Sequence, residues 1–390
     1  MNHFLELHII QNFSPSAPNR GEHGEIKTSL FGGYERAIVS SQADKWAIRR
    51  EFRQDFPEII SFRTRNLLDE IMKLTGESSI SNLEAKVTLA LASIGIAVDV
   101  NRRNEYLIFL SQRELEGIAQ ITKNYSKALL PPDGWTEQLI KATRSKRTKA
   151  IKKEAAKLVP AEIVKELKDS FTGPASPEVA QFGRMMADMP RADVDGSCYA
   201  SGYLSTHAIA PEVDYFTAVD DCPQEGDKGA GMLDEREYVS ACYYRYYLIN
   251  IQQLHINLGE VKDDTVKCIH AFFDATVKAT PKAGQRQWAN FTEPSFFAAA
   301  VGQNTLECNL ANAFAYPIPL GRGDVIAESI NRLTSQWEYA QGMYGSYRSL
   351  SNISCCAIDC YDLGYLAEYA VSSLDIVCDQ MLSVVKHGLK

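Results

Sequence analysis

The sequence has no apolar run long enough to span a bilayer, and its first residues, MNHFLELHII, lack the basic start and cleavage site of a secretory signal. A cytoplasmic protein is the expectation. Also missing are a Walker-type phosphate loop, a Gly-x-Ser-x-Gly nucleophile turn and a His-x-x-x-His metal pair. The histidines are scattered, and among them His207 is the one to weigh as a general base. Asp220-Asp221 has the character of a magnesium site, but adjacent carboxylates at a turn are ordinary surface features. The nine cysteines are an odd number in a chain without a signal, which argues for reduced thiols. Cys355, Cys356 and Cys360 cluster, yet no Cys-x-x-Cys pair accompanies them, so buried structural thiols are expected and no cofactor. An excess of basic charge is absent too: 41 Lys and Arg stand against 49 Asp and Glu, a net −8. A uniformly basic nucleic-acid binder is thereby excluded. A polyanion responds to local potential, however, so segregation of the cations decides.

What is present describes an ordinary globular chain of two or three domains, or one elaborated domain, with 45% hydrophobic and 23% charged residues. Residues 4–10 alternate as a strand, with Leu5, Leu7 and Ile9 toward the core and Glu6 and His8 opposite. A Pro- and Gly-rich loop carrying Arg20 follows. The stretch Phe31–Arg53 then reads as a glycine turn (Gly32, Gly33), a short strand (Arg36–Ser40) and a helix opening near Ser41, with serine as N-cap. On that helix Gln42, Lys45, Trp46, Arg49 and Arg53 recur at three- and four-residue spacing, opposite a core stripe of Ala43, Ala47, Ile48 and Phe52. Such a face is either a solvated amphipathic surface or a surface for phosphates with an aromatic plane among them.

The order of these residues resembles a known signature. Asn19-Arg20, Lys27, Phe31-Gly32-Gly33 and Ser40-Ser41-Gln42 with Lys45 and Arg49 are similar to the N-terminal pattern of the CasC family, the guide-RNA-binding backbone subunits of the type I-E CRISPR Cascade complex. The similarity resumes at Phe182-Gly183-Arg184-Met185, Ser205-Thr206-His207-Ala208-Ile209, Asp214–Asp221 and Asn312-Ala313-Phe314. The resemblance implies a non-catalytic subunit that polymerises head-to-tail along CRISPR guide RNA and presents it to target DNA in antiviral defence. The expected RNA-binding residues are Asn19, Arg20, Lys27, Ser40, Ser41, Gln42, Lys45, Trp46, Arg49, Arg184 and Met185. Implied partners are guide RNA, target DNA, further copies of the chain, the CasA, CasB, CasD and CasE families, and a recruited nuclease-helicase. Trp46 departs from the family, where a basic residue usually follows the lysine. It is read either as a stacking ring at the groove edge or as a lost phosphate contact.

Further along, residues 59–74 have helical spacing, and Ser81-x-x-Glu84 and Ser111-x-x-Glu114 read as capping boxes. Residues 141–157 concentrate Lys141, Arg144, Lys146, Arg147, Lys149, Lys152, Lys153 and Lys157 against Glu154 alone. A solvated helix normally intersperses acids, so a phosphate surface is at least as good a reading. In the family, lysines of the helical fingers meet target DNA, and Lys141 through Lys153 look like their counterpart. By contrast, residues 212–237 hold nine acids against Lys228 and Arg236, which suits a wedge or protein-docking hairpin. The tyrosine-rich run Tyr238–Ile251 is either a base-stacking platform or sheet core. The fold expected is α+β: a ferredoxin/RRM-like palm (1–58 and 178–390), a helical fingers insertion (59–177), and a long β-hairpin thumb at about 206–237. The alternative function is an RRM-like CRISPR RNA-processing endonuclease using His207 and a lysine. Scarcity of paired histidines favours the backbone subunit.

Overall fold

The computed structural model describes residues 3–56, 60–76, 80–142, 148–219, 221–222, 230–321, 323–358 and 361–389. The chain divides into two compact units. One comprises Met1–Asp55, Cys198–Gln252 and Lys262–Lys390, and the other Phe56–Ser197 with Gln253–Val261. The helical unit is therefore larger than the 59–177 insertion read from sequence, taking in 178–197. In chain order the strands are β1 His3–Ser16, β2 Thr28–Phe31, β3 Tyr34–Val39, β4 Ser61–Thr64, β5 Ile108–Ser111, β6 Cys198–Ser205, β7 Glu212–Val219, β8 Ala230–Asn250, β9 Phe296–Gln303 and β10 Leu350–Ala357. The fold is mixed helix and antiparallel sheet.

In the first unit the sheet order is β10-β9-β1-β8-β6-β3-β2, with β7 paired to the outer part of β8. The centre, β9-β1-β8-β6, has helix Ser41–Asp55 between β1 and β6 and helix Lys262–Lys278 between β8 and β9. Its connectivity is thus β-α-β-β-α-β in the order 4-1-3-2. Both faces are covered. On one, Phe4, Ile10, Tyr244 and Tyr246 pack with Leu333 and Trp337 of helix Val325–Tyr344. On the other, Tyr247 meets Phe272 edge-on at 5.6 Å, and Leu7 and Ile9 share its side by register. Double coverage explains why Glu6 and His8, expected away from the core, are buried as well. A buried carboxylate needs partners. Glu6 accepts from Arg348 Nη2 at 3.0 Å and from the Cys308 amide at 2.9 Å. Burial pushes its carboxyl up, but His8 and Arg348 outweigh that and hold it below the usual value. Tyr243, Tyr244, Tyr246 and Tyr247 are all buried, so this run is core and offers no base-stacking platform.

The helical unit packs helices Leu67–Thr75, Leu83–Ser93, Gln112–Asn124 and Ala161–Asp169, among others, around Leu68, Ile71, Val87, Leu91, Ile118 and Leu167. Residues 61–64 pair with β5 as a strand, where helical spacing was expected from 59 onward. Ser111 makes both bonds of its capping box. Ser81 does not cap: its helix starts at Leu83, behind a left-handed Asn82 without a side-chain cap bond. Among the described residues no helix is long and apolar enough to cross a membrane.

β7 and the outer part of β8 form the hairpin expected of the thumb, registered from Glu212↔Tyr238 to Val219↔Ala230. Asp220 and 223–229, the expected tip, lie outside the described residues, as do Arg144, Lys146, Arg147 and Cys360. Among the described cysteines, Cys198, Cys242, Cys268, Cys355 and Cys378 are buried. Burial pushes the Cys198 thiol up to about 12, so it is no thiolate ligand at neutral pH.

Candidate nucleic-acid interface

The β3–helix corner is assembled from three separate segments. Asn19 Oδ1 accepts the Ser40 amide at 2.8 Å, and the Asn19 carbonyl accepts the Lys27 amide at 3.0 Å. Arg20 and Ile26 bridge across the neck of the same loop. Arg20 and Lys27 therefore flank the start of helix Ser41–Asp55. The N-cap is Ser40, one residue earlier than expected. Its carbonyl accepts from Asp44 at 3.0 Å, and its hydroxyl lies 3.4 Å from the Ala43 amide. On β6, a side chain at left-handed Gly202 would collide with the Val39 carbonyl, so glycine lets β6 approach this corner.

Beyond the cap, Gln42 and Trp46 are exposed and Lys45 is half-exposed, as a phosphate-facing surface requires. Arg49 corrects the helical-face reading. It is 6% exposed and falls inside the buried stripe of Asp44, Ala47, Ile48 and Phe52, so it does not belong with the accessible cations. Asp44 explains the wide stripe. Tyr247 donates its hydroxyl proton to Asp44 Oδ1 at 3.0 Å and accepts from Arg245 Nη2 at 2.8 Å, and Arg245 reaches Gln11 Oε1 at 2.6 Å. Burial raises the Asp44 carboxyl to about 6 despite Arg245 and Tyr247. This polar chain anchors the helix by its inner face. Trp46 is 52% exposed, with the Arg50 guanidinium 4.9 Å above its ring. Arg50 was not among the expected site residues, although it follows Trp46 by four positions and that spacing puts the two side chains on one helical face.

Several resemblance motifs, far apart in sequence, support the corner from behind. Gly32 and Gly33 have positive φ in the β2–β3 turn, and a side chain at Gly32 would strike the Ala315 carbonyl. Fully buried Arg36 donates to the carbonyls of Ser205 at 2.8 Å and Phe314 at 2.5 Å. The Phe31-Gly32-Gly33, Ser205-Thr206-His207 and Asn312-Ala313-Phe314 segments thus lock together through backbone carbonyls. His207 is part of this lock. Its Nδ1 bonds the Ala208 carbonyl at 2.9 Å, while Nε2 accepts the Cys242 amide at 3.3 Å. Burial holds it below the usual histidine range, and both nitrogens are committed, which removes it as the acid–base group of a nuclease.

In the helical unit, Met185 is exposed but Arg184 is 7% exposed. Arg184 bonds Glu114 at 2.6 Å and the carbonyls of Ala192 and Phe171 at 2.8 and 2.9 Å. All its nitrogens are engaged internally, so Arg184 is a structural arginine and not an RNA contact in this fold. Of the basic run, Lys141, Lys149, Lys153 and Lys157 are exposed. Lys152 is not available: it pairs with Glu105, and with Asp188 at 2.9 Å. Both acids lie far away in sequence, which is why the run looked unpaired.

A family model described as CT1975-like protein matches residues 5–369. Among solved structures, a chain of a "CRISPR RNA-guided surveillance complex, pre-nicking" is similar with TM-score 0.80 at 24% identity, covering 98% of this chain and 100% of that one. A chain of a "CRISPR RNA-guided surveillance complex" gives TM-score 0.71 at 20% identity, covering 98% and 99%. At these identities the likeness shows the fold. No curated protein matches the chain. With the family model spanning nearly all of its length, the chain belongs to the CT1975-like, or CasC, family of Cascade backbone subunits.

Proposed function

We propose that this protein is a non-catalytic subunit that polymerises head-to-tail along CRISPR guide RNA in the cytoplasm and presents it for pairing with target DNA in antiviral defence. The observation that carries this reading is the corner at which Asn19 is hydrogen-bonded to Lys27 and Ser40, with Arg20 next to it in the bridged loop and Ser41, Gln42 and Lys45 on the first turns of the helix that starts there. Cations, a serine cap and first-turn amides suit a phosphate backbone and carry no base code. The 4-1-3-2 sheet serves as a ferredoxin/RRM-like palm, the helical unit as fingers and the β7–β8 hairpin as thumb. Val213, Tyr215, Val219 and Leu233 are exposed on that acidic hairpin, which favours docking on a neighbouring copy and wedging over its RNA. Such a heterologous contact propagates filaments. Lys149 and Lys153 stand as the described cations for target DNA. The CasA, CasB, CasD and CasE families and a nuclease-helicase complete the assembly. The endonuclease alternative lacks its base, because His207 is sealed in the core.

The test is the salt dependence of RNA affinity. On a single strand each neutralised phosphate contributes roughly 0.7 to the slope of log affinity against log salt, so Lys27→Ala with Lys45→Ala flattens it by about 1.4. A folded double variant with the parent slope refutes the corner as the RNA site. Shortened RNA in the purified complex would revive a nuclease.

A further inference from the structure

An open cavity of about 1150 Å³ lies in the sheet unit and shares only Arg20 with the residues assigned above. Its lining includes Arg20, Arg50 of helix Ser41–Asp55, and Lys282, Arg286 and Phe291 from the segment after helix Lys262–Lys278; Glu51 is its single carboxylate. Two more cations at it are already engaged. Lys278 pairs with Asp274 at 3.2 Å, and Arg236 donates to Gln287 at 2.9 Å. Arg20, Arg50, Lys282 and Arg286, by contrast, form no ion pair among the described residues. Among the described residues, Arg20 Nε is buried without a hydrogen-bond partner, and the Arg50 guanidinium stacks on Trp46.

Four cations without an ion pair, offset in the lining by Glu51 alone, repel one another and focus a positive potential, in a chain whose net charge is −8. What relieves that is a ligand with several negative charges. Phe291, 71% exposed, adds a flat apolar ring to the same lining. Phosphates spaced along a strand with bases between them satisfy both features. An acidic peptide would satisfy only the first. We propose that this cavity is a second single-stranded RNA subsite, in which Lys282 and Arg286 hold two phosphates of the strand that crosses the β3–helix corner and Phe291 stacks on one base. The proposal rests on the guide-RNA reading above, and Arg20 is the residue common to both surfaces.

The experiment titrates the full-length protein with fluorescein-labelled single-stranded RNA over a range of salt concentrations. Exposed Lys282 and Arg286 can be changed without opening the core. Lys282→Ala with Arg286→Ala is expected to flatten the salt slope by about 1.4, as two lost phosphates require. Lys282→Arg with Arg286→Lys should keep the parent slope, and Phe291→Ala should weaken binding at unchanged slope. The Lys27→Ala, Lys45→Ala variant is measured alongside. A parent slope for the cavity variant, with a flattened one for the corner variant, overturns the subsite and leaves the guide-RNA reading standing. Parent slopes for both overturn both. Unchanged RNA binding with lost self-association overturns the subsite in favour of an acidic segment of a second copy.

Discussion

Two basic stretches, 41–55 and 141–157, look alike as sequence and differ in the fold. In the first, the helix presents Gln42, Lys45 and Trp46 outward but turns Asp44 and Arg49 into the core, where Tyr247 and Arg245 organise Asp44. In the second, Lys149, Lys153 and Lys157 remain exposed while Lys152 is held by Glu105 and Asp188. Charge density along a chain therefore states how many cations exist, and the acids and hydroxyls brought in from elsewhere decide how many remain for a ligand. Arg184 is the extreme case, with every nitrogen engaged.

The largest expected effect tests that extreme. Arg184→Ala strips the cation from Glu114 Oε1 and the donors from the Ala192 and Phe171 carbonyls, and breaking a buried pair in this way costs about 3–5 kcal/mol. Urea unfolding of the full chain should show that loss, with the RNA salt slope unchanged in protein that stays folded. A stable variant with a flattened slope would return Arg184 to the RNA-binding set.

Next comes the buried carboxyl behind the corner. Asp44 has its folded pKa raised from 3.8 to about 6. A raised value means the folded protein binds the proton more tightly, so this contribution is complete below about pH 4 and lost as pH rises through 6. The size is about 3 kcal/mol at 1.36 kcal/mol per pKa unit. Asp44→Asn should remove that fall, about 2 kcal/mol of which lies between pH 4.5 and 7.5, seen by comparing unfolding free energies at those two values. Equal pH dependence in parent and variant would place the titration elsewhere.

The basic run separates into two behaviours. Lys152→Ala should cost about 1–3 kcal/mol, because it leaves Glu105 and Asp188 facing each other without their shared cation. Lys149→Ala with Lys153→Ala should shift stability by less than about 0.5 kcal/mol. That pair should instead flatten the salt dependence of target-DNA binding by about 1.8, at roughly 0.9 per phosphate, with copurified guide RNA unchanged. Loss of guide RNA would move these lysines to the RNA groove.

The smallest effect concerns Trp46. Its contact with Arg50 is worth about 0.5–1 kcal/mol at an exposed site. If the indole marks a lost phosphate contact, Trp46→Arg tightens RNA binding and steepens the slope by about 0.7. If it stacks on a base, RNA quenches its fluorescence and Trp46→Ala weakens binding without moving the slope. Quenching together with a weaker alanine variant decides for stacking.

The elements that local chemistry specifies were legible in the sequence. The strand at 4–10, the Gly32-Gly33 turn, the helix opening near Ser41 and the Ser111 capping box all rest on turn residues, caps and periodicity within a few positions. So did the motif order that led to the family. Sequence spacing could not supply what depends on partners distant in the chain. The second covering of the sheet by helix Val325–Tyr344 made Glu6, His8 and the tyrosines core. Networks reaching from Asp44 to Arg245 and from Arg184 to Glu114 consumed charges that looked free. The fold alone also gathered Arg50, Lys282 and Arg286 around one cavity, since no periodicity links a helix at 50 with a loop at 282–291. Local sequence fixes where a backbone turns and which face is apolar. Whether a charge is buried, paired or offered to a ligand depends on electrostatics over a few ångströms, and only tertiary packing sets those distances.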